Sequence, residues 1–120
     1  MDFPASRAMS LATAAYGVFA LARPGHLPDA MKADPTERRG LITLARGYGV
    51  RDLVVSGAAL LGGASAVRAA MATRVAFDLS DCVLLLRRTD DPAVRAKVAA
   101  ATVGWASLNV AALVLDSRRA

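Results

Sequence analysis

The sequence predicts an all-α protein, a four-helix transmembrane bundle with up-down-up-down connections. Three observations predict it. Four apolar stretches divide the chain, clusters of polar residues, Gly and Pro separate them, and strand-like alternation is absent. A length of 120 residues points to one domain over 1–120. Its helices are expected at about 8–24, 41–64, 66–87 and 93–115, where the apolar runs lie.

The first stretch, Ala8 to Ala22, ends at the breaker Arg23-Pro24-Gly25. It is short, and Met9 to Leu27 spans a bilayer only if Arg23 snorkels. Ala20-Leu21-Ala22 also looks like a signal-peptidase site. Against cleavage, the leading residues hold one base (Arg7) and one acid (Asp2), and Arg-Pro follows the site. The other three spans stand on either reading. The linker that follows holds Pro24, Pro28 and Pro35, and Thr36-Glu37 marks a helix start.

The second stretch, Leu41 to Ala64, contains Arg46, Arg51 and Asp52 and closes on Gly62-Gly63-Ala64-Ser65, a tight connection. The third, Val67 to Leu86, contains Arg68, Arg74, Asp78 and Asp81. A polar turn from Arg87 to Pro92 follows, with Asp91 as helix cap and Pro92 at the first helical position. The fourth, about Val98 to Leu115, contains Asn109 and no charge. The last three stretches match the roughly 20 apolar residues a bilayer-spanning helix needs. A soluble amphipathic helix carries a wide polar face. Neither Leu53 to Ala64 nor Val98 to Leu115 has one.

Hydrophobic residues make up 55% of the chain, which excludes a disordered segment. A single cysteine, Cys82, excludes a disulfide scaffold. The net charge of +5 would first suggest nucleic acid, so the position of the charges decides. Arg23, Lys32, Arg38, Arg39, Arg87, Arg88, Arg95 and Lys97 lie on one side, against Arg7, Arg68, Arg118 and Arg119 on the other. That bias puts the two larger loops in the cytoplasm and both termini outside, in a bacterial cytoplasmic membrane. The basic pI is then topology. No basic patch interleaved with aromatics supports nucleic acid, and no nucleic-acid partner is expected.

Six ionisable residues lie well inside the second and third stretches: Arg46, Arg51, Asp52, Arg74, Asp78 and Asp81. Ionisable groups at bilayer depth are costly and mark function by default. Arg74, Asp78 and Asp81 follow i, i+4, i+7 spacing and share one helix face. Arg46, Gly49, Asp52 and Ser56 fall within a sector of about 120° at about 100° per residue. Counting outward from the turn sets Asp52 level with Asp78 and Arg46 about one turn from Asp81. Arg51 projects about 100° from Asp52, so it must curl back or find a partner on the first or fourth helix, where Tyr16 is the mid-depth candidate.

Asp52, Asp78 and Asp81 are therefore the candidate acid–base groups. Arg46, Tyr48, Arg51, Arg74, Tyr16 and Asn109 are the candidate ligand-binding groups. The competing reading is an ion-pair network that only locks two helices together. Gly47 and Gly49 around Tyr48 permit close packing or ligand access. Pairs such as Ala58/Gly62, Ala59/Gly63 and Ala100/Gly104 arise readily by chance in an alanine-rich chain. His26, alone in a loop, is not a metal site, and Cys82 reads as an inert buried thiol. No cofactor motif, phosphate loop or metal cluster is found, so no cofactor or metal is expected.

The stretch Arg46-Gly47-Tyr48-Gly49-Val50-Arg51-Asp52-Leu53, with Gly57 and Leu60-Leu61, resembles the small four-helix integral membrane family catalogued as domain of unknown function 4267. A looser similarity is to DoxX-type four-helix membrane proteins. The resemblance implies the fold and the site location, with acids in the third helix at Asp78 and Asp81, but no reaction. Three functions follow as expectations. The first is binding or transformation of a lipophilic small molecule at the Arg/Asp cluster, with an acid–base isomerase, cyclase or hydrolase as the enzyme class. The second is a structural or accessory membrane subunit. The third is a proton or ion pathway. Membrane lipid is an expected partner, and a homo-oligomer stays open.

Overall fold

A computed structural model describes residues 2–119. Met1, Ala120 and the Arg119 side chain lie outside the described residues, and so does the place of Arg119 in the charge count. The chain is all-helical, with no strand among the described residues. It forms α1 (Pro4–Ala22), α2 (His26–Ala30), α3 (Pro35–Leu61), α4 (Ala64–Leu86) and α5 (Pro92–Arg119).

Four helices were expected and five are found among the described residues. The short α2 lies in the proline-containing linker and stops at Ala30, and two residues on Lys32 is left-handed, with a φ of 51°. The second long helix starts at Pro35, six residues before its apolar run, because Asp34 caps it. The Asp34 carboxylate accepts from the backbone N–H of Thr36 and Glu37 at 2.9 and 3.0 Å. Asp91 does the same for α5, accepting from Ala93 and Val94 at 2.9 and 3.2 Å with Pro92 next, as expected. Hydrogen bonds hold both carboxyls below the usual carboxylate range. For Asp34 the Thr36 side chain contributes most, and for Asp91 the Val94 N–H does.

The four long helices form an antiparallel ring. Gly62 and Gly63 turn α3 into α4, and residues 87–91 turn α4 into α5. At one end, Arg7 of α1 donates to the carbonyls of Ala59, Leu60 and Gly62 at the end of α3. At the same end the Asp116 carboxylate of α5 accepts from Ala5 and Ser6 at 3.1 and 2.6 Å, satisfying free donors at the start of α1. Midway, α1 and α3 cross at Gly17 and Gly49. A Cβ on either would stand 2.9 or 2.8 Å from the other's carbonyl oxygen. Of the glycine pair expected to aid packing, Gly49 does so, while Gly47 faces open space. Of the small-residue pairs, Gly63 and Gly104 meet nothing.

The core is split. Phe3, Val67, Met71 and Ala112 pack at the Arg7 end. Leu27, Met31, Leu41, Tyr48, Leu85 and Val94 pack at the α2 end. Between them the interior is polar, with Thr13, Asp52, Ser56, Arg74, Asp78 and Asn109 all buried. The outside shows the reverse. Leu11 (63%), Val54 (67%), Leu79 (50%) and Leu108 (53%) are exposed on the four long helices. Among the described residues one helix, over Pro92–Arg118, is long and apolar enough to cross a membrane, and less than a quarter of its apolar stretch is buried. That narrows the expected set of spans from four to one by length and composition. Charges in α3 and α4 keep those two helices from meeting the same description.

Candidate functional site

Five of the six predicted charges meet in the polar band. Arg51 curls back along α3, and its Nε donates to Asp52 Oδ1 at 3.1 Å. Its two terminal nitrogens donate to both oxygens of Asp81 on α4, at 2.9 and 2.8 Å. This is a bidentate guanidinium–carboxylate pair, the geometry that gives the strongest ionic hydrogen bonds. The Tyr48 and Phe77 rings lie 4.5 and 4.7 Å from the guanidinium carbon, so the fork is also stacked. Arg74 then bridges the level pair predicted from the turn. One terminal nitrogen contacts Asp52 Oδ1 and the other donates to Asp78 Oδ1 at 3.0 Å. The chain of contacts runs Asp81–Arg51–Asp52–Arg74–Asp78.

Arg46 is the correction. It is exposed on the outer face of α3, beside Arg39 and Thr43, and makes no ion pair among the described residues. The buried stripe of α3 is Ala45, Tyr48, Asp52, Ser56 and Ala59. Six residues separate Arg46 from Asp52, a rotation of about 120°, which takes Arg46 off that stripe. Arg51, not Arg46, pairs with Asp81, by the length of its side chain rather than by its helix position. Asn109 is also displaced. It is buried, but its Nδ2 donates to Trp105 O one turn back on its own helix, and it does not line the cavity described next.

The cluster forms the floor of a cavity of about 300 Å³ enclosed by the four long helices and α2. Leu27, Met31, Leu85 and Val98 make apolar walls. Lys97 and Ala101 are exposed and lie at its rim, which opens it on the α5 side. Tyr16 and Tyr48, both predicted, line it. The chain matches no family model, no curated protein and no solved structure.

Two lining residues escape the sequence reading. His26, the first residue of α2, lies 2.8 Å from the Arg23 carbonyl through Nδ1 and 2.9 Å from the Tyr16 hydroxyl through Nε2. A carbonyl only accepts, so Nδ1 carries a proton and donates to it, and Nε2 shares a hydrogen bond with the Tyr16 hydroxyl, which can serve as donor or acceptor. The signal was available in the sequence: Tyr16 stands about two helix turns before the breaker Arg23-Pro24-Gly25, which His26 directly follows. Trp105 also lines the cavity, with Nε1 donating to Thr13 at 3.1 Å. Four atoms in the cluster are buried without a hydrogen-bond partner among the described residues: Asp52 Oδ2, Asp78 Oδ2, Arg74 Nε and the Tyr48 hydroxyl. Unsatisfied buried polar atoms are rare in folded proteins, and four of the six among the described residues belong to residues that line this cavity, the others being Ser6 Oγ and Asn109 Oδ1.

Proposed function

We propose that this chain is a small integral membrane protein that binds, or binds and transforms, a lipophilic small molecule in the cavity above the Arg/Asp cluster. One observation carries the reading: across its middle the molecule is polar inside and, Arg46 apart, largely apolar outside, and that polar band borders a cavity. Bilayers favour that inversion, because charges at depth are best placed in the bundle interior while Leu and Val face the lipid. Acids on the outer surface are confined to loops and helix ends. The proposal keeps the likeness to domain of unknown function 4267 and the orientation with residues 23–34 and 87–91 in the cytoplasm.

Cavity volume is at the lower end of the small-molecule range. The free oxygens of Asp52 and Asp78 and the Tyr48 hydroxyl are positioned to take or give a proton. If the bound molecule is changed, acid–base isomerisation, cyclisation or hydrolysis is the supported class. A second reading, an accessory subunit locked by its charges, has its own observation. Of the five hydrogen bonds from Arg51 and Arg74 to three Asp, three join α3 to α4.

The test begins with membrane fractionation. The protein should stay with membranes through an alkaline wash. After gentle detergent purification, native mass spectrometry should detect a retained small molecule. Ala101→Trp, which fills the rim, should lose that molecule at unchanged melting temperature. Release into the alkaline wash would refute the membrane reading. A protein that carries no small molecule but a stoichiometric larger partner would favour the accessory subunit.

A further inference from the structure

Removing Arg46 from the cluster leaves it unbalanced. Asp52, Asp78 and Asp81 face only Arg51 and Arg74, so the ionised group carries one excess negative charge. The groups around it do not cancel that charge. On α1 and α2 they are the Tyr16 hydroxyl and a His26 that bonds to Tyr16 and the Arg23 carbonyl and not to a carboxylate of the cluster. On α3 it is the Tyr48 hydroxyl. On α5 it is Lys97, exposed at the rim and unpaired with the cluster. An unpaired charge in a low-dielectric interior is expensive.

We infer that the cavity takes a lipophilic organic cation, a primary alkyl- or arylammonium, in exchange for one proton held by the cluster. The inference rests on the binding reading above and names its ligand class. Without ligand, one proton balances the three Asp against the two Arg. When the ammonium enters, that proton leaves to solvent, and the ammonium N–H groups donate to Asp52 Oδ2 and Asp78 Oδ2. Those are the two carboxylate oxygens of the cluster buried with no partner among the described residues. Asp52 is fully buried and Asp78 97% so, and both line the cavity. The apolar body packs on Leu27, Met31, Leu85 and Val98, with the Trp105 and Tyr16 rings beside the charge. An anionic ligand is disfavoured. It would add a second negative charge, and the terminal nitrogens of both arginines are already engaged by carboxylates.

Trp105 is the only tryptophan and lines the cavity, so its fluorescence reads occupancy. The wild-type protein in nanodiscs is titrated with n-octylammonium, n-octanol and n-octanoate, three probes matched in shape. Octylammonium should bind at least about tenfold more tightly than octanol, and octanoate should not saturate. Octylammonium affinity should rise with pH, by up to about tenfold per pH unit while the competing proton is bound. Octanol affinity should not. Asp78→Asn, which balances the cluster, should abolish the preference for octylammonium and its pH dependence while octanol binding persists. The wild-type pH series decides the matter if that variant does not fold. Octylammonium affinity that stays flat from about pH 5 to about pH 9 would overturn the exchange. Equal binding of octanol and octylammonium would overturn the ligand class and leave the binding reading intact. If none of the probes alters Trp105 emission, both fail.

Discussion

The two ends of the bundle use charge in opposite ways. At the closed end, Arg7 and Asp116 engage the backbone: Arg7 donates to three carbonyls of the α3 terminus, and Asp116 accepts from two N–H groups of α1. Helix termini leave just such groups free, so these charges finish the helices and tie three of them together. Towards the α2 end, Arg51, Arg74 and the three Asp engage one another, and they line a cavity with two carboxylate oxygens left unpartnered among the described residues. Charges that satisfy backbone groups close a structure. Charges that satisfy mostly each other are, on the reading proposed above, what a ligand meets.

The largest effect should come from breaking the second set. Arg74→Ala strands Asp78 in the interior, leaves Asp52 only its contact with Arg51, and should cost about 3–5 kcal/mol, read as loss of the folded state on heating in detergent. Gly49→Ala tests the crossing between the two ends. Its Cβ would press on the Gly17 carbonyl and Leu21, so α1 and α3 must part, at about 1–3 kcal/mol of thermal stability. At the closed end, Asp116→Ala removes the hydrogen bonds to Ala5 and Ser6 and should cost about 1–2 kcal/mol. It should leave Trp105 emission unchanged, whereas Arg74→Ala should shift it. Arg46→Ala, outside both sets, should stay within about 0.5 kcal/mol of wild type.

The smallest effect is acid sensitivity at the loop caps. Asp34 and Asp91 have folded-state pKa values below their unfolded ones. Their contribution is complete above the unfolded value of about 3.9 and is lost as pH falls through the folded one. Melting temperature should therefore drop on strong acidification. The drop should be smaller in the Asp34→Asn/Asp91→Asn double variant, whose caps do not titrate.

Much of this arrangement was legible. The apolar runs located the four long helices, and Asp91-Pro92 and Gly62-Gly63 marked where two of them begin or turn. The spacing of Arg74, Asp78 and Asp81 placed them on one face, because helical periodicity is rigid over two turns. Arg51 was harder. A flexible side chain can reach around its helix, so its partner depends on what the neighbouring helix presents. Arg46 failed for the related reason that a polar stripe has an edge, and rotation by one residue decides which side of it a side chain takes. The helix α2 was invisible because five residues with a central proline carry no periodic signal, and His26 was missed with it.

The two-residue turn between α3 and α4 has a consequence for how such a chain is made. In a protein that inserts into a bilayer, α3 alone would present Arg51 and Asp52 to lipid, and α4 alone would present Arg74, Asp78 and Asp81. The four ion pairs that mask them close within this hairpin, and three run between residues 22 and 30 apart or one turn apart on α4. On the proposed membrane reading, α3 has reason to wait at the membrane surface during synthesis until α4 has emerged. On that reading the hairpin, rather than the single helix, is the unit of integration.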